Sequence, residues 1–237
     1  MPSLSPRSNA SFVTASDPAR PGPSEARLDR WFGYYTTKRI GHQWQQVELL
    51  RGLPVRAILE VGPALGLVTA LLDNAGYAVT TLDIVPREFD RPDLPHIGAD
   101  LVALDAAAIA GHDIIFCCET LEHLPWDTVP GILSAFRASG ARFLLVSVPY
   151  EAFQVDWSLY FNRHALRQRF SMKKLRFLKS FTPEPGMGHK WEIGYRARSL
   201  RVWEQALRDS GWRIRRRAFS SPCRSVFHLL DNPDCKA

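Results

Sequence analysis

Short apolar runs alternate along the chain with stretches whose apolar residues recur at helical spacing. Ala57–Val61 is a brief apolar run and predicts a buried parallel strand. Leu67, Ala70, Leu71 and Ala75 follow at helical spacing behind a glycine-containing turn. Tyr77–Asp83 is apolar and β-branched, and Asp113–Cys118 is a further apolar run; both predict strands. Trp126–Ser139 predicts a helix stopped at Gly140, and Arg142–Pro149 the fifth strand. Near the end, Leu200, Trp203, Ala206 and Leu207 share one face of a helix over Ser199–Ser210, with Gly211 behind it. Trp212–Phe219 and Arg224–Leu230 predict two closing strands. Strands alternating with helices make an α/β domain with a mainly parallel sheet.

Two regions break this rhythm. Residues 1–27 are rich in Ser, Pro, Ala and Arg, have no apolar core of signal-peptide length, and predict a disordered tail. Residues 150–195 lose periodicity and mix basic with aromatic residues, among them Trp157, Tyr160, Arg163, Arg167, Arg169, Phe170 and Lys173. They are too long for a plain connection and predict a substrate-binding insertion or lid. Between tail and first strand, residues 28–54 carry Trp31, Phe32, Tyr34, Tyr35, Trp44 and Leu50, with helical spacing in the second half.

At 237 residues with 46% hydrophobic content, the chain suits one α/β domain, residues 28–237. A net charge of +6 is compatible with acidic partners but does not demand them. Cys117, Cys118, Cys223 and Cys235 form no C-x-x-C pair, and two lie in a buried strand, which predicts reduced thiols and a cytoplasmic protein. No run is long enough to span a membrane.

The chemistry starts at Glu60-Val61-Gly62-Pro63-Ala64-Leu65-Gly66. Strand, glycine turn and helix form a nucleotide-binding βαβ opening, with Gly62 and Gly66 allowing close backbone approach. Asp83 ends the second strand, where one carboxylate can accept from both hydroxyls of a ribose; a dinucleotide site would show the same acid. With Gly98-Ala99-Asp100-Leu101 and Glu119-Thr120-Leu121-Glu122-His123-Leu124, the ordered set resembles the class I S-adenosylmethionine (SAM)-dependent methyltransferases. The E-x-L-E-H-L segment is close to those of the ubiquinone-pathway O-methyltransferases and the small-RNA 3′-end 2′-O-methyltransferases. The resemblance implies a Rossmann-like, seven-stranded, mostly parallel sheet flanked by helices, its last strand antiparallel, with an insertion after strand five. It implies SAM held by Glu60, Gly62, Gly66, Asp83, Asp100, Leu101 and Glu119. Residues 28–54 would cover the cofactor mouth, and Arg39, beside Lys38 and Ile40, would hold the methionyl carboxylate.

In both resembled groups two Glu and two His hold a divalent ion that lowers the pKa of the acceptor hydroxyl. Glu119, Glu122, His123 and the distant His189 are the corresponding set here, with Glu119, His123 and His189 in the catalytic role. Mg or Mn suits such donors, and Zn and Fe lie within the same chemistry. Many methyltransferases carry this segment without metal; Glu119 then lines the cofactor pocket and His123 packs nearby. His164 is a rival fourth ligand or base, while His42, His96, His112 and His228 are assigned structural roles. The expected activity is methyl transfer to an oxygen of a small-molecule or glycan-like metabolite. RNA 2′-O methylation and a non-catalytic SAM-binding protein are the alternatives.

Overall fold

The structure, a computed structural model, describes residues 24–89, 91–151, 153–173, 176–183, 186 and 188–235. The chain divides into two units, Met1–Thr36 and Thr37–Ala237. In the first, α1 (Glu25–Tyr34) starts at Ser24, whose hydroxyl accepts from the Arg27 amide. The expected tail boundary at residue 27 therefore falls inside this helix; residues 1–23 lie outside the described residues. Trp31 stacks edge-on against Phe32 and Tyr35 within the same unit.

The second unit carries α2 (Thr37–Glu48), β1 (Ala57–Val61), α3 (Leu67–Asn74), β2 (Ala78–Asp83), β3 (His96–Gly98) and β4 (Ile114–Cys118). Next come α4 (Val129–Ala138), β5 (Phe143–Pro149), β6 (Gln154–Asn162), β7 (Ala165–Lys173), α5 (Leu200–Asp209), β8 (Arg213–Phe219) and β9 (Ser225–Asp231). Seven strands form one sheet in the order β3-β2-β1-β4-β5-β9-β8. β1 to β5 are parallel, and β9 runs antiparallel to both β5 and β8. The expected α/β sheet and its antiparallel closing pair are present.

The central strands are buried on both faces, which is why they read as unbroken apolar runs: β5 and β9 bury every residue. One face packs Leu49, Leu50, Val68 and Leu72 onto Ile58, Ile114 and Leu145. The other packs Ile132, Leu133 and Phe136 of α4 and Trp203 and Leu207 of α5 onto Leu59, Ile115 and Leu144. The helix after β1 is present, but Val68, Thr69 and Leu72 are its buried residues, not Ala70 and Ala75. A two-sided core accepts a wide stripe, so spacing among leucines and alanines does not fix the rotation.

The insertion has structure that aperiodicity did not suggest. β6 and β7 make an antiparallel hairpin, a two-stranded sheet of its own. Residues 188–195 then return to the domain. Ile193 donates to Pro149 O at 3.1 Å, Glu151 donates to Ile193 O at 2.9 Å, and Trp191 and Ile193 are fully buried.

Candidate functional site

The carboxyl ends of four neighbouring strands present, in spatial order, Asp100 just past β3, Asp83 on β2, the glycine turn past β1, and Glu119 past β4. Asp83 pairs in register with Gly98, and Val61 with both Leu82 and Cys117. Such an edge, where connections leave in opposite directions, is where open α/β sheets hold ligands.

The turn requires its glycines. Gly62 has φ +69°, and a Cβ there would stand 2.6 Å from Thr120 Oγ1; Gly66 has φ +80°, with Phe89 ring atoms at the same distance. Gly66 is also the N-cap of α3, leaving that helix's first amides without a side-chain cap. Beneath the turn, buried Glu60 accepts from Thr69 Oγ1 at 2.5 Å. Asp100 caps the next short turn through the Val102 amide at 2.9 Å, and Leu101 is buried. Ile84 and Val85, straight after Asp83, are exposed, as is Val102.

Burial lifts the Glu60 carboxyl from 4.5 to about 7, the Thr69 hydroxyl pulling the other way. Between those values the folded protein holds a proton that the unfolded chain has released. The contribution is therefore full below pH 4.5 and is lost as pH rises to about 7. Glu60→Gln removes that dependence, so variant stability minus parent stability should climb by about 2–3 kcal/mol across this window. Urea titrations at several pH values read the difference directly; parallel profiles would rule the buried proton out.

Past β4 the chain turns sharply. Glu119 has φ +54°, and its carboxylate accepts from Ser147 Oγ and Ser225 Oγ, each at 2.9 Å. His42 of α2 places Nε2 3.9 Å from Glu119 Oε1, and neither of its ring nitrogens has a hydrogen-bond partner. Burial, with Arg224 and Arg39 nearby, holds His42 down to about 4, so it is neutral. Sequence reasoning gave His42 a structural role; the fold places it beside Glu119. The signal was faint, one histidine on a polar helix fifteen residues before the start of β1 at Ala57.

Glu122, His123 and His189 converge. One ligand-type atom from each lies within 4.8 Å of the others, and Glu119 does not join them. Of the four residues expected together, these three converge, while two serines turn the Glu119 carboxylate toward β5 and β9. His164 sits at the tip of the hairpin, exposed and bonded to Asn162 and Arg163, away from this group.

Glu122 is fully buried, and among the described residues neither of its carboxylate oxygens has a hydrogen-bond partner. Burial, then repulsion from Glu119 and Glu192, pushes it well above the usual carboxylate range. His189 offers Nε2 to Glu122 at 3.9 Å, while its Nδ1 pairs with Glu192 Oε1 at 2.9 Å. That second carboxylate fixes the ring and the tautomer, leaving the Nε2 lone pair aimed at the group. His123 packs edge-on to His189 at 5.0 Å between centroids. Partial desolvation, with His189 adding to it, holds His123 below its ordinary value.

The sequence explains this convergence. Trp191 anchors the returning segment, donating Nε1 to Leu124 O at 2.9 Å and stacking edge-on against Trp126. Lys190 N donates to Glu122 O at 2.7 Å, tying the return to the turn that bears the ligands. Gly188 has φ +72°, and a Cβ would come 3.0 Å from His123 Nδ1.

No family model matches this chain, and no curated protein matches its sequence. Solved structures do. A 1,6-didemethyltoxoflavin-N1-methyltransferase of Burkholderia thailandensis, with 1,6-didemethyltoxoflavin and S-adenosylhomocysteine bound, superposes with TM-score 0.56 at 16% identity. That match covers 87% of this chain and 82% of the other. Magnesium protoporphyrin IX methyltransferase of Synechocystis, with bound S-adenosylhomocysteine, gives 0.54 at 16% identity, covering 87% and 94%. The methyltransferase domain of bacterial CtHen1-CN gives 0.54 at 13% identity, covering 81% and 98%. The fold is that of the class I SAM-dependent methyltransferases. At these identities the likeness is one of fold alone.

Proposed function

We propose that the chain is a SAM-dependent methyltransferase acting on a hydroxyl of a small-molecule or glycan-like acceptor, assisted by a divalent ion. The observation that carries the reading is the alignment of Asp100, Asp83, the Gly62–Gly66 turn and Glu119 on one sheet edge, next to a buried carboxylate that no other side chain hydrogen-bonds.

SAM supplies a methyl group already activated by its sulfonium. The chain's residues hold and orient. Asp83 accepts from the ribose hydroxyls, Ile84 and Val102 flank the adenine, the α3 amides and glycine turn face the polar backbone of the cofactor, and Arg39 of α2 meets its carboxylate. A divalent ion would fit Glu122, His123 and His189: it would occupy the orphaned oxygens and use the lone pair that Glu192 orients. Bound there, it would supply Lewis acidity toward the acceptor oxygen. Two imidazoles with one carboxylate suit Mn, Zn or Fe better than Mg, which prefers all-oxygen shells. Neutral His42, beside Glu119, is placed to receive a proton at Nε2. No helix among the described residues is long and apolar enough to cross a membrane.

Titration calorimetry with SAM and with S-adenosylhomocysteine tests the cofactor half. Asp83→Ala should weaken both by about 1–3 kcal/mol, the scale of a charge-assisted hydrogen-bond pair. Equal affinities for parent and variant would remove the ribose assignment.

A further inference from the structure

The hairpin has two unlike faces. Cross-strand pairs put Val155 with Met172, Trp157 with Phe170, Leu159 with Gln168 and Phe161 with Leu166 on one face. Gln154 with Lys173, Asp156 with Ser171, Ser158 with Arg169 and Tyr160 with Arg167 form the other. Every charge in the two strands is on the second face. The seven large apolar side chains of the first are each between 55% and 76% exposed.

The polar face is the one turned toward the domain. At the root of the hairpin, Gln154 donates to Cys223 O at 2.5 Å and accepts from Cys223 N at 2.8 Å. Lys173 Nζ meets Glu151 at 2.7 Å. The apolar face therefore looks outward and is no lining for the chain's own site.

An isolated two-stranded hairpin is at best marginally stable in water. This one has nine residues in each strand and forms no larger sheet. We propose that its apolar face is the interface of a homodimer, covered by the same face of a second copy about a twofold axis. Seven large side chains at this exposure present on the order of 800 Å² of apolar surface, taking roughly 150–250 Å² for one fully exposed aromatic. A standard interface takes about 800 Å² from each partner, whereas the largest apolar patch of a typical monomer is about 300–600 Å². The face has the charge depletion and aromatic enrichment of an interface core. A twofold stack of the two hairpins sets the apolar faces about 10 Å apart, as in a β-sandwich, and keeps the arginine-bearing face of each copy on the side of its own domain, out of the interface.

Sedimentation velocity on the full chain reads the result. At micromolar concentration it should run as a dimer of the 26.8-kDa chain. Trp157→Ser with Phe170→Ser should raise the dimer dissociation constant by roughly 100-fold, as loss of central aromatic anchors does. Its circular dichroism melt should keep the main transition, since these residues are outside the domain core. Arg167→Glu with Arg169→Glu, on the opposite face, should stay dimeric. A monomeric parent overturns the proposal, whether inert or floating with anionic phospholipid vesicles; so does a serine variant that folds and still dimerises.

Discussion

Glu122→Gln abolishes methyl transfer, lowering turnover by at least ~10²-fold, as does exhaustive chelation of the parent protein. The assay is a cell-extract screen with methyl-labelled SAM, with and without chelator. Affinity for SAM should stay within about twofold, because the proposed cofactor contacts, the glycine turn with Asp83 and Asp100, do not include Glu122. A second readout needs no acceptor. Mn²⁺ at about 100 times its dissociation constant should stabilise the parent by about 2.7 kcal/mol and leave Glu122→Gln unmoved. Glu192→Gln, which loosens the grip on His189 Nδ1, should weaken the ion roughly 10–100-fold. The opposite pattern is equally legible. If Glu122 is merely a buried acid, the isosteric amide replaces a group far above its ordinary pKa and gains stability, with turnover intact under chelation. That outcome would remove the ion from the reading and leave the cofactor site standing.

Gly194→Ala should cost roughly 3 kcal/mol, combining left-handed strain with a backbone clash. Gly194 has φ +99°, and a Cβ there would lie 2.2 Å from Glu151 O. Glu151 belongs to the contact that returns the insertion to the domain, so relief requires that contact to open. His189 stands five residues upstream and should shift with it. The melting temperature should fall by roughly 6–12 °C for a chain of this size. The Mn²⁺-dependent stabilisation should shrink in the same variant. Gly52→Ala is the control: its φ is +80° but nothing lies within 4 Å of the added carbon, so only strain remains, about 1 kcal/mol. Equal losses at the two positions would refute the clash.

Much of the sheet was legible because its central strands are buried on both faces. Apolar runs closed by Asp83 or opened by Asp113 mark such strands without any alternation. The two closing strands were legible for a different reason: Gly211 sets off the first, and the Ser220–Cys223 turn parts it from the second. The hairpin was not, although Val155, Trp157, Leu159 and Phe161 alternate with polar residues over its first strand. Alternation normally signals a face turned to the core, and here that face is exposed among arginines and lysines, so composition outweighed period. At the site, sequence placed His189 with Glu122 and His123 across more than sixty residues because the pairing rested on a resemblance. The turn of Glu119 toward Ser147 and Ser225 was beyond sequence, since both serines come from strands far along the chain. His42 was missed for the same reason; only the packed fold brings α2 to Glu119.

The backbone ladder joining Tyr150 and Glu151 to Ile193 has an evolutionary reading. It closes the excursion at its neck, so the chain leaves and re-enters the domain at adjacent points. Lengthening a loop whose ends are already pinned adds little closure entropy, about 0.6 kcal/mol per doubling. Residues 152–186 are thus an exchangeable cassette. Descendants can replace the hairpin, and with it whatever the hairpin binds, while Trp191 keeps His189 at its station.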